Sequence, residues 1–224
     1  MHPYVRTLKQ VFENHADPLK AAPMKRYMRD QFEYLGIKSP LQSQLHRDFI
    51  KEHGLPPLKD LDRICRDLWA LPQREFQYCA SSMLGRLEAQ LTPQILPTVE
   101  YMITTKSWWD TVDTLASHTV GGLFKKFPKL KSVNLRKWRR SKNLWLRRTT
   151  LLFQLGYKQD TDFDLLCELI RENLGSEEFF INKAIGWALR QYAWTNPRAV
   201  RKFVEATKEL HPLSQREALK NIGE

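Results

Sequence analysis

Four aromatic residues recur along the chain at nearly constant intervals. Phe76, Trp109, Trp145 and Phe180 follow one another at spacings of 33, 36 and 35 residues, and each opens an apolar stretch. That interval accommodates two helices and two turns, the unit from which helical-repeat proteins are built. Because one such helix pair cannot bury its apolar face alone, the recurrence predicts a stack of neighbouring pairs.

Helix starts are marked by a polar residue directly before a proline, a combination that suits the N-cap and the first helical position. Four such pairs occur: Asp17-Pro18, Ser39-Pro40, Thr92-Pro93 and Asn196-Pro197. Between them apolar residues recur at intervals of three and four, and alternating strand patterns are absent. We therefore predict about twelve helices and no sheet. The expected fold is an all-α, HEAT-like solenoid, a single domain over residues 1–224, curved into a superhelix with a concave basic groove.

Positive charge is concentrated in one fifth of the chain. Lys and Arg number 36 against 25 Asp and Glu, a net charge of +11, and twelve of the basic residues lie between Thr114 and Gln159, where no acidic residue occurs. A block of one sign repels itself unless a polyanion offsets it. The block spans several predicted helices instead of one amphipathic helix, which favours nucleic acid over a membrane surface.

Several protein classes are excluded by what the sequence lacks. No apolar stretch approaches the ~18–20 residues that a membrane span requires, and the first residues contain no hydrophobic signal core. Three cysteines, far apart and odd in number, fit neither a disulfide framework nor a zinc site, and the six histidines show no ligand spacing. We expect a cytoplasmic protein without a metal or other cofactor.

A few residues stand out as candidates for chemistry once a solenoid is assumed. Trp109 and Asp113 are four apart and share one helix face. Arg148 and Trp187 follow the repeat aromatics of the next two units by three and seven residues. Trp108 and Trp109 are adjacent and cannot both face the core, so one of them should be exposed. Core packing for the tryptophans, and a cap or an ion pair with an arginine for Asp113, remain open.

Long tryptophan-rich strings make the chain resemble a known family, the AlkD family of HEAT-like-repeat DNA alkylation-repair glycosylases. The resemblance rests on these segments: residues 105–113, 143–148, 179–192, 196–197 and 212–218. It covers essentially the whole chain. It implies excision of N3- and N7-alkylated purines from duplex DNA, without a deep base pocket and by a monomer.

The resemblance also implies roles for individual residues. Asp113 would be the catalytic carboxylate, Trp109 and Trp187 the aromatic walls beside the lesion, and Arg148 a contact to the DNA backbone. The other residues expected to bind substrate are Tyr27, Phe180, Lys183 and Arg190. The loop Lys38-Ser39-Pro40 departs from the family pattern, which leaves its role at the opposite strand open.

Elementary chemistry agrees with that assignment. A purine alkylated at N3 or N7 is already cationic and leaves without protonation, so one carboxylate suffices to stabilise the charge that develops on the sugar and to orient water. The main alternative is a non-catalytic HEAT-like scaffold that binds nucleic acid, although a scaffold has no use for an acid in its groove. A metal-dependent nuclease is a weaker alternative, because only Asp110 lies near Asp113. Lys183 could in principle form a Schiff base, but we interpret it as a phosphate contact or a solvated lysine.

Overall fold

Regular structure in this chain is helical. The computed structural model describes residues 1–222, and within that range the only pairing of extended backbone is one bridge between Glu33 and Gln73. The all-helical class predicted from the sequence is confirmed. The chain divides into two compact units, Met1–Leu91 and Thr92–Glu224. The single domain, the superhelical curvature and the groove stay predictions.

The first unit is built from five α-helices and a short 3₁₀ turn at Glu88–Gln90. The helices are α1 (Pro3–Glu13), α2 (Pro18–Tyr27), α3 (Ser39–His53), α4 (Leu58–Ala70) and α5 (Arg74–Arg86). The apolar stripe of α4, from Leu61 to Leu68, is buried and packs on α1 and α5. In contrast, α2 buries none of its side chains.

The second unit contains nine α-helical segments within its described residues. They are α6 (Leu96–Thr104), α7 (Trp109–Thr114), α8 (Gly121–Lys126), α9 (Pro128–Trp138), α10 (Leu144–Leu152), α11 (Phe163–Arg171), α12 (Phe179–Ala193), α13 (Pro197–Ala206) and α14 (Pro212–Leu219). Short 3₁₀ turns occur at Pro93–Ile95 and Lys158–Asp160. The four recurrent aromatics each lie within the first three residues of a helix, as the spacing predicts. No helix among the described residues is both long and apolar enough to cross a membrane.

Two of the four predicted helix caps are confirmed. The Asp17 carboxylate accepts hydrogen bonds from the backbone N–H groups of Leu19 and Lys20 in α2, and the Asn196 side chain accepts one from the N–H of Ala199 in α13. Ser39 was expected to cap α3, but this helix begins at Ser39 itself and has no side-chain cap, so the hydroxyl lies one position too late. Thr92 precedes only a 3₁₀ turn and makes no capping bond.

A π-helical segment, Leu115–Val120, joins α7 directly to α8. The Ser117 hydroxyl donates to the Asp113 carbonyl at 2.7 Å, and the Tyr157 hydroxyl donates to the Gly121 carbonyl at 2.7 Å. At Gly121 this helix approaches the chain after α10 so closely that an added Cβ would lie 2.5 Å from the Phe153 carbonyl oxygen. The glycine therefore permits the contact that holds the π segment against its neighbour.

Candidate active site

A cavity in the second unit collects side chains from α7, α10 and α12. It has a volume of about 470 Å³ and is partly open to solvent. Its lining residues are Trp109, Asp110, Asp113, Thr114, Arg148, Phe179, Phe180, Lys183, Trp187 and Arg190. Seven of the eight residues expected at the site are thus brought together. The eighth, Tyr27, belongs to the first unit.

Asp113 is held by a two-pronged contact from Arg148. The Arg148 Nε donates to Oδ1 of Asp113 and Nη2 donates to Oδ2, both at 2.7 Å, while Nη1 donates to the carbonyl of Phe180. Asp113 is 9% exposed and Arg148 3%. Because the planar guanidinium matches both carboxylate oxygens, it fixes the orientation of the carboxyl group. The ion pair considered for Asp113 from the sequence is therefore present, and it forms part of the cavity wall.

Arg148 has few donors left for another partner. Three of its five N–H groups are engaged by Asp113 and Phe180. Its geometry makes it a positioning residue for the carboxylate, and the expected contact from Arg148 to a DNA backbone stays a prediction.

Burial and the ion pair act on Asp113 in opposite directions. Removal from water disfavours the charged form and raises the pKa of the Asp113 carboxyl above its ordinary value, which is the larger effect. The hydrogen bonds and the positive charge of Arg148 lower it. The negative charge of Asp110, three residues earlier on α7, raises it as well, so the ionisation of Asp113 depends on burial and on both neighbouring charged side chains.

The two adjacent tryptophans face different surroundings, as expected from the sequence. Trp109, the first residue of α7, is 36% exposed and lines the cavity. Trp108 packs instead on Trp145, with ring centroids 5.9 Å apart, and on Phe180 at 5.1 Å. This cluster stabilises the start of α7, and it leaves Trp109 as a free aromatic surface beside Asp113.

One face of α12 supplies the opposite part of the lining. Phe180, Lys183, Trp187 and Arg190 are separated by three, four and three residues, so they project from the same side of the helix. A residue that the sequence did not single out meets two of them. Glu217 on α14 accepts from Lys183 at 2.8 Å and from Arg190 at 2.5 Å. No local sequence pattern indicates this contact. Residue spacing predicts which side chains share a face of one helix, but it does not predict that α14 packs against α12.

Tyr27 ends α2 and is 74% exposed. Most of its side chain is therefore open to solvent. Lys38 of the divergent loop is exposed at the N-terminus of α3. The roles expected for both residues at DNA stay predictions.

Most of the basic block, the cationic residues between Thr114 and Gln159, lies outside the cavity lining. Of its twelve cationic residues, only Arg148 lines the cavity. Several form ion pairs with acidic residues outside the block, among them Lys125, Lys137, Arg139 and Arg148. The exposed residues Lys129, Arg136 and Arg140 project from α9 or just after it. The positive field therefore extends well beyond the residues that contact the cavity.

Within residues 1–222, no three His, Cys, Asp or Glu side chains are grouped so that they could share a metal ion. The three cysteines are buried and free. The nearest carboxylate to Asp113 along the same helix, Asp110, also lines the cavity.

Comparison with known proteins places this arrangement in a family. The family described as DNA alkylation repair enzyme matches residues 8–222. A protein of known structure from Enterococcus faecalis, described as a predicted DNA alkylation repair enzyme, is 32% identical with a TM-score of 0.85, over 93% of this chain and 97% of that one.

A second solved structure, smu.31 from Streptococcus mutans UA159, is 17% identical with a TM-score of 0.59, over 81% of this chain and 98% of that one, and shares the fold. No curated protein matches the sequence significantly. The match over nearly the whole sequence, together with the similarity to the Enterococcus faecalis protein, establishes that the chain belongs to the family of DNA alkylation repair enzymes.

Proposed function

We propose that the protein is a monofunctional DNA glycosylase that hydrolyses the N-glycosidic bond of cationic N3- and N7-alkylated purines in duplex DNA. The observation that carries this proposal is the buried Asp113 carboxylate, fixed by Arg148 in the wall of an aromatic cavity. Membership of the repair family and the resemblance to the AlkD glycosylases support it.

The carboxylate is suited to a bond that breaks with development of positive charge. As the C1′–N bond of the nucleotide stretches, its electron pair leaves with the purine, which becomes neutral, and positive charge develops on the deoxyribose. A fixed negative group beside the sugar stabilises that charge without reorganising during the reaction. Arg148 occupies one side of the carboxylate, and lone pairs on the cavity side can orient a water molecule. Water attacks C1′ and its proton passes to Asp113 or to solvent.

The aromatic lining favours a charged lesion. Trp109 and Trp187 line the cavity, and a cationic purine or sugar over an aromatic ring face gains about 0.5–2 kcal/mol. A neutral lesion such as uracil or hypoxanthine gains less and has a poorer leaving group. We therefore expect little release of neutral bases.

The net charge of +11 supports a polyanionic partner. We propose that the partner is duplex DNA, that the protein acts as a monomer, and that it works in the cytoplasm in contact with the chromosome. Neither a metal nor another cofactor enters the reaction as proposed.

The decisive experiment measures free 7-methylguanine and 3-methyladenine released from methylated duplex DNA. Asp113→Asn alone leaves the buried Arg148 charge uncompensated, which costs about 3–5 kcal/mol of stability when a buried pair is broken. The double variant Asp113→Asn/Arg148→Gln removes both charges and separates loss of chemistry from loss of fold.

Release by the wild type, absent in the folded double variant, is the expected result. No release by the wild type, with salt-sensitive DNA binding, would favour the non-catalytic scaffold and make Asp113–Arg148 a structural ion pair. Efficient release of uracil would contradict the proposed selectivity.

A further inference from the structure

The two carboxylate oxygens of Glu217 each accept a hydrogen bond from a different cation at the edge of the cavity. Oε1 accepts from Lys183 Nζ at 2.8 Å, and Oε2 accepts from Arg190 Nη1 at 2.5 Å. Lys183 and Arg190 line the cavity, whereas Glu217 does not. The Lys183 ammonium lowers the pKa of the Glu217 carboxyl, so the acid is ionised at neutral pH.

Close packing of α14 on α12 places Glu217 there. At Gly186, between the two cations on α12, an added Cβ would lie 2.5 Å from the Cβ of Glu217 and 3.0 Å from the Ser214 carbonyl oxygen. A glycine inside a helix is unfavourable relative to alanine. Here the glycine permits a close approach of the two helices that a larger residue would prevent, and this approach brings Glu217 between Lys183 and Arg190.

The two cations keep donors for another anion. Lys183 has three N–H groups and Arg190 five, and each gives one to Glu217. The two nitrogens already lie close enough to be bridged by the two oxygens of one carboxylate. The non-bridging oxygens of a phosphodiester have a comparable separation and strong affinity for such donors.

We propose that Lys183 and Arg190 form one subsite for a single backbone phosphodiester of bound DNA, and that Glu217 is the positioning residue that holds the two cations in place. The subsite rests on the proposed function for its DNA partner. Glu217 lies behind the cations, and the phosphate binds on the cavity side. Binding one phosphate in a fixed geometry positions the nucleotide relative to Asp113.

Binding to undamaged duplex DNA over a salt series tests the subsite without reference to catalysis. Each phosphate contact contributes about 0.9 to the slope of log K against log salt concentration. We expect Lys183→Gln/Arg190→Gln to reduce the slope by about 0.9, because both cations serve one phosphate. A loss of about 1.8 would mean two separate phosphates, and an unchanged slope would mean none. Either result overturns the proposal.

Glu217→Gln tests the positioning role. Removing a negative charge should leave DNA binding unchanged or tighter, while the single-turnover rate of base release at saturating enzyme falls about tenfold because the nucleotide is less well placed. The matched control is Glu100→Gln, since Glu100 also bonds two donors, Lys137 and Trp138, but lies outside the cavity lining.

Unchanged single-turnover release by Glu217→Gln, or a fall in melting temperature, binding and release together, would overturn the positioning role. If the wild type releases no alkylated base, the proposed function fails, and the salt slopes still decide whether the phosphate subsite exists.

Discussion

Asp113 combines two properties that usually exclude each other, a buried position and a charge available to a ligand. Burial raises the pKa of its carboxyl, and Arg148 keeps the charged form accessible through two hydrogen bonds to the same group. A lysine in place of this arginine would offer a point charge and could not match both oxygens. Arg148 is thus the group that lowers the pKa of this carboxyl, against the opposing effects of burial and of the neighbouring Asp110 charge.

Arg148→Lys should shift the pH dependence of base release. In the proposed mechanism the active form is the carboxylate, which exists above its pKa, so activity is lost as the pH falls through that value. Weakening the Arg148 contact leaves burial less opposed and raises the pKa of Asp113 further. The acid limb of the single-turnover pH–rate profile should therefore move to higher pH. An acid limb at the wild-type position would show that Arg148 does not set the ionisation of Asp113.

Trp109 and its neighbour Trp108 should respond differently to replacement by alanine. Trp109→Ala removes a cation–π partner of about 0.5–2 kcal/mol and should slow release of 7-methylguanine roughly 2- to 30-fold, with little change in stability. Trp108→Ala breaks the packing on Trp145 and Phe180 and should cost roughly 3 kcal/mol of unfolding free energy. Chemical denaturation and release assays on both variants check this, and equal losses of stability would contradict it.

At the scale of elements, the site is made by one face of α12 set against α7, α10 and α14. Intervals of three and four along α12 indicate from the sequence that Phe180, Lys183, Trp187 and Arg190 share a face. Spacing does not indicate which helix packs against that face, because this depends on the packing of α12 with α10 and α14. Glu217 was missed for that reason.

Gly186→Ala should destabilise the protein although alanine is the better helix former. The added methyl group would overlap Glu217 and the backbone at Ser214, and overpacking of this kind costs about 1–3 kcal/mol. Gly85, in α5, is the matched control, because its added Cβ would contact nothing within 4 Å. Gly85→Ala should instead stabilise by about 0.4–1 kcal/mol. Thermal or denaturant unfolding of the two variants measures the contrast, and stabilisation in both would refute the close approach.

At the scale of the molecule, most residues of the basic block lie apart from the cavity that contains Asp113. The sequence correctly indicates an all-helical chain, since capping and apolar spacing are local properties, and the recurrent aromatics Phe76 and Trp145 mark true helix starts. It does not locate the basic block relative to the cavity, because ion pairs such as Lys137–Glu100 form between distant segments. A net charge predicts a class of partner, but only the fold assigns each cation to the cavity, to an ion pair or to solvent.

Replacing Lys129, Arg136 and Arg140 together with glutamine should weaken DNA binding without affecting chemistry. These exposed side chains would contribute through phosphate contacts that carry no information on the lesion. We expect a smaller salt dependence and equal losses of affinity for damaged and undamaged duplex, with an unchanged single-turnover rate at saturating enzyme. Unaltered affinity and salt dependence would assign this part of the block to a different partner.

The π segment Leu115–Val120 is a place in the helix running from α7 to α8 where a change of length can be absorbed. Each residue added to or removed from a regular α-helix rotates everything that follows by about 100°. A π turn contains about one residue more than an α turn, so deleting one residue within this segment would let it become α-helical. Trp109 and Asp113 would then stay in place, and α8 with its two terminal lysines would keep its direction. The segment therefore separates the length of this helix from the relative orientation of its cavity end and its lysine end.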